Sequence, residues 1–462
     1  MLAKFKKKYI GDWDFYQKYL LLAIPMILQN AITNLVSFLD NIMVGQLGTE
    51  QMSGVAIVNQ LIFVYNLAIF GAVSAASIFG AQYFGKGNHK GHMYSFRFKL
   101  YATLLVTGGA ILLFLTKGSA LISLYLTDTV VNGATDLALQ YGLEYLAIMM
   151  VGLIPFAVNQ SYATNIKETG QTFIPMLASF VAVGTNAILD YLMIFGIGPF
   201  PELGVQGAAL ATVIARYIEA LIVVIWAHIH RGKNRYLEGA YTGFGIPLAE
   251  LKAILIKGFP LMMNEVLWAA GMTTVTQCYS VRGLNVVAGL NIASTITNLF
   301  NIVYLQLGSC ISIVVGQYLG AGKLEDAKDA DNKMIVFSVF CCVIMAALMF
   351  VVGGFFPGIY NTTEEIRELA TSFIAVSAII MPFCAFSHAS YFTLRSGGKT
   401  VVTFLFDSVF TWVIVVPAAY LLAHFTGLGI VSIYFLVQGT ELIKVIIGYL
   451  MVKSNVWVVQ MV

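Results

Sequence analysis

Twelve apolar stretches, each about as long as a helix needs to cross a lipid bilayer, follow one another along this chain of 462 residues. The hydrocarbon core of a bilayer is about 30 Å thick and an α-helix rises about 1.5 Å per residue, so one crossing takes about 20 mostly apolar residues. The stretches run approximately from 16 to 43, 52 to 79, 94 to 115, 137 to 160, 172 to 196, 205 to 229, 251 to 280, 286 to 315, 333 to 356, 366 to 392, 400 to 424 and 428 to 452, with turn residues between them. Apolar residues make up 59% of the chain and charged ones only 11%, a balance that fits lipid rather than water. The pattern predicts an all-α polytopic membrane protein of twelve transmembrane helices.

Lys and Arg orient such a chain. With the N-terminus inside, the inner side holds 22 of them, from Lys4, Lys6, Lys7 and Lys8 in the leader, through Arg97 and Lys99, to Lys444 and Lys453 at the end. The outer side holds only Lys117, Arg282 and Arg367, and Arg216 is left inside a span. This asymmetry predicts cytoplasmic termini and a place in the cell inner (plasma) membrane. Because the basic residues are spread over separate inner segments, the net charge of +3 forms no nucleic-acid stripe.

Other chemistries lack their residues. The five cysteines lie in apolar helices without CxxC spacing, which indicates neither a disulfide framework nor a metal site. Gly80 to Lys86 has the spacing of a phosphate loop, but Gly87 replaces the required Ser or Thr and no strand precedes it. No paired nucleophile and base falls within the spans, so an enzyme is not expected.

The second half repeats the first at an offset of about 235 residues. Gln82-Tyr83-Phe84-Gly85-Lys86-Gly87 becomes Gln317-Tyr318-Leu319-Gly320-Ala321-Gly322, and Ile24-Pro25-Met26 becomes Phe259-Pro260-Leu261. Ser161-Tyr162-Ala163-Thr164 matches Ser390-Tyr391-Phe392-Thr393 at an offset of 229. Six spans separate the copies, so both cross in the same direction and the halves form a parallel repeat of two six-helix lobes. The expected division is 1–230, a cytoplasmic inter-lobe loop at 231–250, and 251–462. Transporters use this plan to expose a site near the midplane to each side in turn.

Carboxylates within spans are functional candidates, since each costs about 2.5 to 3.5 kcal/mol to insert. Asp40 lies toward the outer end of the first span, and Asp190 lies one helical turn after Asn186 in the fifth. That spacing puts Asn186 and Asp190 on one helix face. Glu265 in the seventh span and Asp407 in the eleventh are the second-half acids. Such groups can exchange a proton or Na⁺ for a cationic substrate, and each can also simply cap a helix or pair with a polar neighbour. Trp268, Tyr279 and Tyr304 are candidate walls for an organic cation, or lipid-facing anchors. Pro25 and Pro260 each remove a backbone hydrogen bond, which predicts a kink or hinge in both helices.

With these features assembled, the chain resembles the multidrug and toxic compound extrusion (MATE) family, in its bacterial NorM/DinF-like branch, over essentially its whole length. The likeness rests on Pro25 with Asp40-Asn41-Ile42-Met43-Val44-Gly45-Gln46-Leu47-Gly48, the paired Gln-Tyr-x-Gly-x-Gly turns, and Gly204-Val205-Gln206-Gly207-Ala208-Ala209. The resemblance implies export of small organic cations or toxic metabolites by antiport with H⁺ or Na⁺, by a monomer embedded in the lipid bilayer and without a further cofactor. It implies that Asp40, Asn186 and Asp190 form a first-lobe coupling cluster and that Glu265 and Asp407 are second-lobe acids. The presence of both sets leaves the coupling ion open. The rival reading is a lipid-linked oligosaccharide or other large-substrate flippase of the same superfamily, which would favour a more basic cavity.

Overall fold

The computed structural model describes residues 8–126, 134–243 and 245–462, apart from the side chains of Val36, Phe38 and Ala134. Lys4, Lys6 and Lys7 of the leader lie outside the described residues. Lipid offers no hydrogen bonds to an open backbone, so spanning segments must satisfy their own amides and carbonyls. The chain does this with helices, and no strand occurs among the described residues.

The first half runs α1 (Trp13–Gly45), α2 (Thr49–Lys86), α3 (His89–Ser123), α4 (Ala134–Val151), α5 (Leu153–Glu168), α6 (Phe173–Ile194) and α7 (Val205–Ile229). The second runs α8 (Leu248–Ser280), α9 (Leu284–Gly320), α10 (Leu324–Gly353) and α11 (Glu364–Ser396), then α12 (Thr400–Phe404) and α13 (Val416–Phe425), and ends with α14 (Ile430–Gly439) and α15 (Glu441–Lys453). Among the described residues, eleven segments are long and apolar enough to cross a membrane, or up to twelve when α4 and α5, bent by 44° at a break, count as one.

The repeat predicted from the motifs is built into the helices. α1 and α8 are both 33 residues long, and each carries its proline at the thirteenth residue, Pro25 and Pro260. Neither proline interrupts its helix. The interruption falls instead between α4 and α5, at Gly152 just before Pro155, where a glycine and a following proline weaken the helix together. Arg216 lies against that break: its guanidinium donates at 3.4 Å to the Gly152 carbonyl, which also accepts from the Phe156 amide at 3.4 Å, and lies 5.2 Å from the Phe156 ring centre. The arginine inside the sixth span therefore has a structural use that its sequence position alone does not reveal.

Two compact units form. One comprises Met1–Ile27, Ala81–Asn88 and Ala253–Val462; the other, Leu28–Gly80 and His89–Lys252. They are called here the C-terminal and N-terminal units. In the N-terminal unit, backbones approach closely through small residues: a methyl on Gly54 would meet the Ala138 carbonyl, and one on Gly207 the Met193 carbonyl. Such contacts replace the hydrophobic drive that lipid removes. The connection after α7 is docked onto this unit. Arg97 donates to the carbonyls of Ala240 at 2.9 Å, Gly239 at 2.7 Å and Gly245 at 2.7 Å.

In the C-terminal unit the two Gln-Tyr-x-Gly-x-Gly turns pack on each other reciprocally. A methyl on Gly85 would strike the Gln317 backbone, and one on Gly320 the Gln82 backbone. Gly87 and Gly322 both take φ +73°, the left-handed conformation that closes a helix and favours glycine. The motif that reveals the repeat in sequence is thus its contact point in space. Gln82 also donates to the Ser396 carbonyl at 2.9 Å and accepts from the Met461 amide at 2.8 Å.

Candidate functional site

The N-terminal unit places the two first-half acids together. Asp40 near the end of α1 and Asp190 near the end of α6 face each other within hydrogen-bonding reach. Neither oxygen of Asp190 and not Oδ1 of Asp40 makes a hydrogen bond of good geometry to a protein donor among the described residues, and the Asn186 side chain stands within reach of Asp190. Asn186 lies one turn back on α6 and gives its amide to Thr212 Oγ1 of α7 at 3.5 Å. Two facing carboxyls without donors need a proton or a metal cation between their oxygens, because two bare carboxylates at that range repel. Asp190 is 1% exposed, so bulk water does not relieve that repulsion.

The C-terminal unit arranges its acids differently. Asp407 lies where the backbone switches from α12 into π-helical turns, Leu405–Val409 and then Thr411–Val415. Such wide turns cluster at functional positions because they re-aim side chains without breaking the helix. Asp407 Oδ2 accepts from Asn264 Nδ2 at 3.1 Å and Oδ1 from Lys444 Nζ at 2.8 Å. Ser408 Oγ donates to Asn264 Oδ1 at 2.7 Å, which fixes the amide. Glu265 is the next residue on α8 and lies in the electrostatic range of Asp407 and Arg395.

Lys444 corrects one expectation. It was counted with the cations at an inner membrane face, but it is the fifteenth residue of a 24-residue span and only 6% exposed. A buried ammonium needs an anion, and Asp407 provides one.

The aromatic candidates separate. Tyr304 stays near this cluster, with its ring 4.7 Å from His388 on α11. Tyr279 is 4% exposed and packs edge-on against Tyr434 at 5.7 Å, in the same apolar core that holds Tyr304. Trp268 is 37% exposed on α8, beside the Leu267 carbonyl that accepts from Trp412 Nε1 at 2.8 Å. Pro25 and Pro260 lie four residues before Gln29 and Asn264, at matching places in α1 and α8.

A third polar group escaped the sequence reading. Glu219, the fifteenth residue of α7, accepts from Ser179 Oγ of α6 at 2.5 Å, and Gln29 Nε2 of α1 donates to the same Ser179 at 2.8 Å. Its signal was available, since a carboxylate near the middle of an apolar helix carries the same insertion cost as the acids that were singled out. The last spans of the two halves carry reversed charge pairs at matching places, Arg216 with Glu219 in α7 and Glu441 with Lys444 in α15.

Apolar spans in two similar sets, with buried carboxyls inside each set, define a multi-pass membrane transporter. A family model described as MatE matches the chain twice, over residues 25–192 and 260–421, each match opening on one of the paired prolines. The chain belongs to this family, that of the MATE multidrug efflux transporters. Among its relatives, a probable multidrug resistance protein NorM of Thermotoga maritima is 24% identical over 415 residues, covering 89% of this chain and 86% of the relative. A probable multidrug resistance protein YoeA of Bacillus subtilis is 21% identical and covers 90% and 88%. Solved structures share the fold. One described as an outward-facing conformation of a multidrug resistance MATE family transporter of the MOP superfamily aligns at a TM-score of 0.85 with 20% identity, covering 96% of both chains. A MOP superfamily transporter from Pyrococcus furiosus, described by a reverse polarity of its binding pocket, aligns equally well at the same identity and coverage.

Proposed function

We propose that this protein exports small organic cations across the cell inner membrane by antiport with H⁺ or Na⁺, with both termini in the cytoplasm and one chain sufficient for transport. The observation that carries the reading is the facing pair of half-buried Asp40 and buried Asp190, in which Asp40 Oδ1 and both oxygens of Asp190 have no well-placed protein donor among the described residues. A coupling ion completes that pair, and its release lets the pair reset.

The organic cation is assigned to the C-terminal unit. Asp407 is paired with Lys444, and Glu265, which lies beside it in the range of Arg395, is the acid assigned to meet the substrate charge. Asn264 and Lys444 hold Asp407 in place, and the aromatic candidates are Trp268, three residues after Glu265 on α8, and Tyr304 of α9, whose ring lies against His388 of α11. Family membership and the relatives' names support efflux of multiple compounds, and the acidic character of the spans supports a cationic cargo.

The test is efflux of a fluorescent lipophilic cation from proteoliposomes under a pH gradient, a Na⁺ gradient or neither. Efflux that requires one gradient supports antiport and names the ion. Absence of movement under every condition, for several cations, would move the assignment toward the flippase class.

A further inference from the structure

The reversed charge pairs of α7 and α15 identify a site that the coupling pair does not use. In the C-terminal unit, an amide on α8, a carboxylate after α12 and an ammonium on α15 form a chain, Asn264 to Asp407 to Lys444, at 3.1 and 2.8 Å. The matching places in the N-terminal unit hold Gln29 on α1, Ser179 on α6 and Glu219 on α7, linked at 2.8 and 2.5 Å. Gln29 matches Asn264 at the offset of the paired prolines, Ser179 matches Asp407 counted from the turn glycines Gly170 and Gly398, and Glu219 and Lys444 are both fifteenth in their spans. One copy therefore carries its own cation, whereas the other carries an anion.

Among the described residues, the cations in electrostatic range of that anion are Lys167 and Arg216, and none forms with it the close ion pair that Lys444 forms with Asp407. Arg216, one turn away on α7, is directed to the Gly152 carbonyl and the Phe156 ring. Asn159, 3% exposed, donates its amide to the Glu219 carboxylate and Gln29 donates its amide to Ser179, and each amide keeps a buried oxygen, Asn159 Oδ1 and Gln29 Oε1, without a donor among the described residues. Orphaned buried acceptors of this kind are costly, and a cation satisfies them where a further acceptor cannot.

We infer that Glu219, Ser179, Asn159 and Gln29 form a second cation site in the N-terminal unit that takes Na⁺ through side-chain oxygens. A proton would satisfy the carboxylate alone, whereas a hard cation draws on the two amide oxygens as well. Gln29 precedes Asp40 by eleven residues on α1, and Ser179 precedes Asp190 by eleven on α6. The new site and the coupling pair thus lie on the same two helices, three turns or about 16 Å apart.

The test is equilibrium binding of radioactive Na⁺ to the purified full chain in detergent at fixed pH. Asp190→Asn is used as background to remove the coupling pair. Saturable Na⁺ binding is expected to persist there, to be lost on adding Glu219→Gln, and to weaken by about tenfold on adding Asn159→Leu. Where Glu219→Gln does not give monodisperse protein, Glu219→Asp, which withdraws the carboxylate by one methylene, is expected to weaken binding by about tenfold. Absence of saturable binding in the Asp190→Asn background, or binding unchanged by the Glu219 and Asn159 substitutions, overturns the site. The readout is independent of efflux: a protein that binds this Na⁺ yet moves no organic cation refutes the proposed transport and leaves the site standing.

Discussion

Lys444 meets Asp407 at 2.8 Å in the middle of a span, so two largely buried charges of the C-terminal unit neutralise each other. Removing one partner of such a pair strands the other in a medium that cannot solvate it, at a cost of about 3–5 kcal/mol, while removing both together is often neutral. Lys444→Met and Asp407→Asn are each expected to lower the thermal midpoint of the detergent-purified protein markedly. The double substitution is expected to recover most of that loss. Additive losses in the double variant would show that the two side chains act separately.

Asp40 and Asp190 call for the opposite response. Asn at either position supplies the donor that the facing carboxyls lack, so Asp190→Asn is expected to keep or raise the thermal midpoint while reducing gradient-driven efflux by about tenfold or more. Efflux assays and thermal unfolding on the same preparation check both halves of this expectation. A variant that both transports and folds normally would remove the pair from the mechanism.

Gly85 and Gly320 test the contact at the centre of the repeat. Each sits against the backbone of the other motif's glutamine, where an added methyl has no room. Gly85→Ala and Gly320→Ala are each expected to destabilise by about 1–3 kcal/mol, to similar extents because the contact is reciprocal. Gly87→Ala has open space around it but a φ of +73°, and is expected to cost about 1–2 kcal/mol through backbone strain alone. Chemical or thermal unfolding of the three variants distinguishes crowding from strain.

Arg97 holds three carbonyls of the connection between α7 and α8. Arg97→Ala is expected to loosen that segment and to speed tryptic cleavage at the exposed Arg231, Lys233 and Arg235 by about tenfold, with little change in the unfolding midpoint. Unchanged cleavage would show that the segment is held by its buried Tyr236 and Leu237 instead.

Much of the fold was legible because lipid imposes a simple length rule and because the repeat left its turns and prolines in register. Gln82 and Gln317, Pro25 and Pro260, and the stretches themselves needed no coordinates. The break at Gly152 was less visible, since the stretch from 137 to 160 is apolar throughout and apolarity does not report a bend. Asp40 and Asp190 could be named as candidates, but their facing geometry depends on how α1 and α6 pack. Lys444 was misplaced because its closeness to the chain's end resembled a membrane-face anchor. Its partner, 37 residues earlier, is brought near only by the packing of two later spans. The packing of Tyr279 against Tyr434 was not legible either, because an aromatic ring in a span looks the same in sequence whether it faces a site or another ring.

The most direct test of the account follows both fluxes in the same proteoliposomes, the organic cation by fluorescence and the coupling ion by a pH or Na⁺ indicator, for the wild type and for Asp190→Asn. The account predicts opposed, mutually dependent fluxes in the wild type and the loss of both in the variant. Organic cation movement that continues at the wild-type rate in Asp190→Asn, or without any ion gradient, would contradict it.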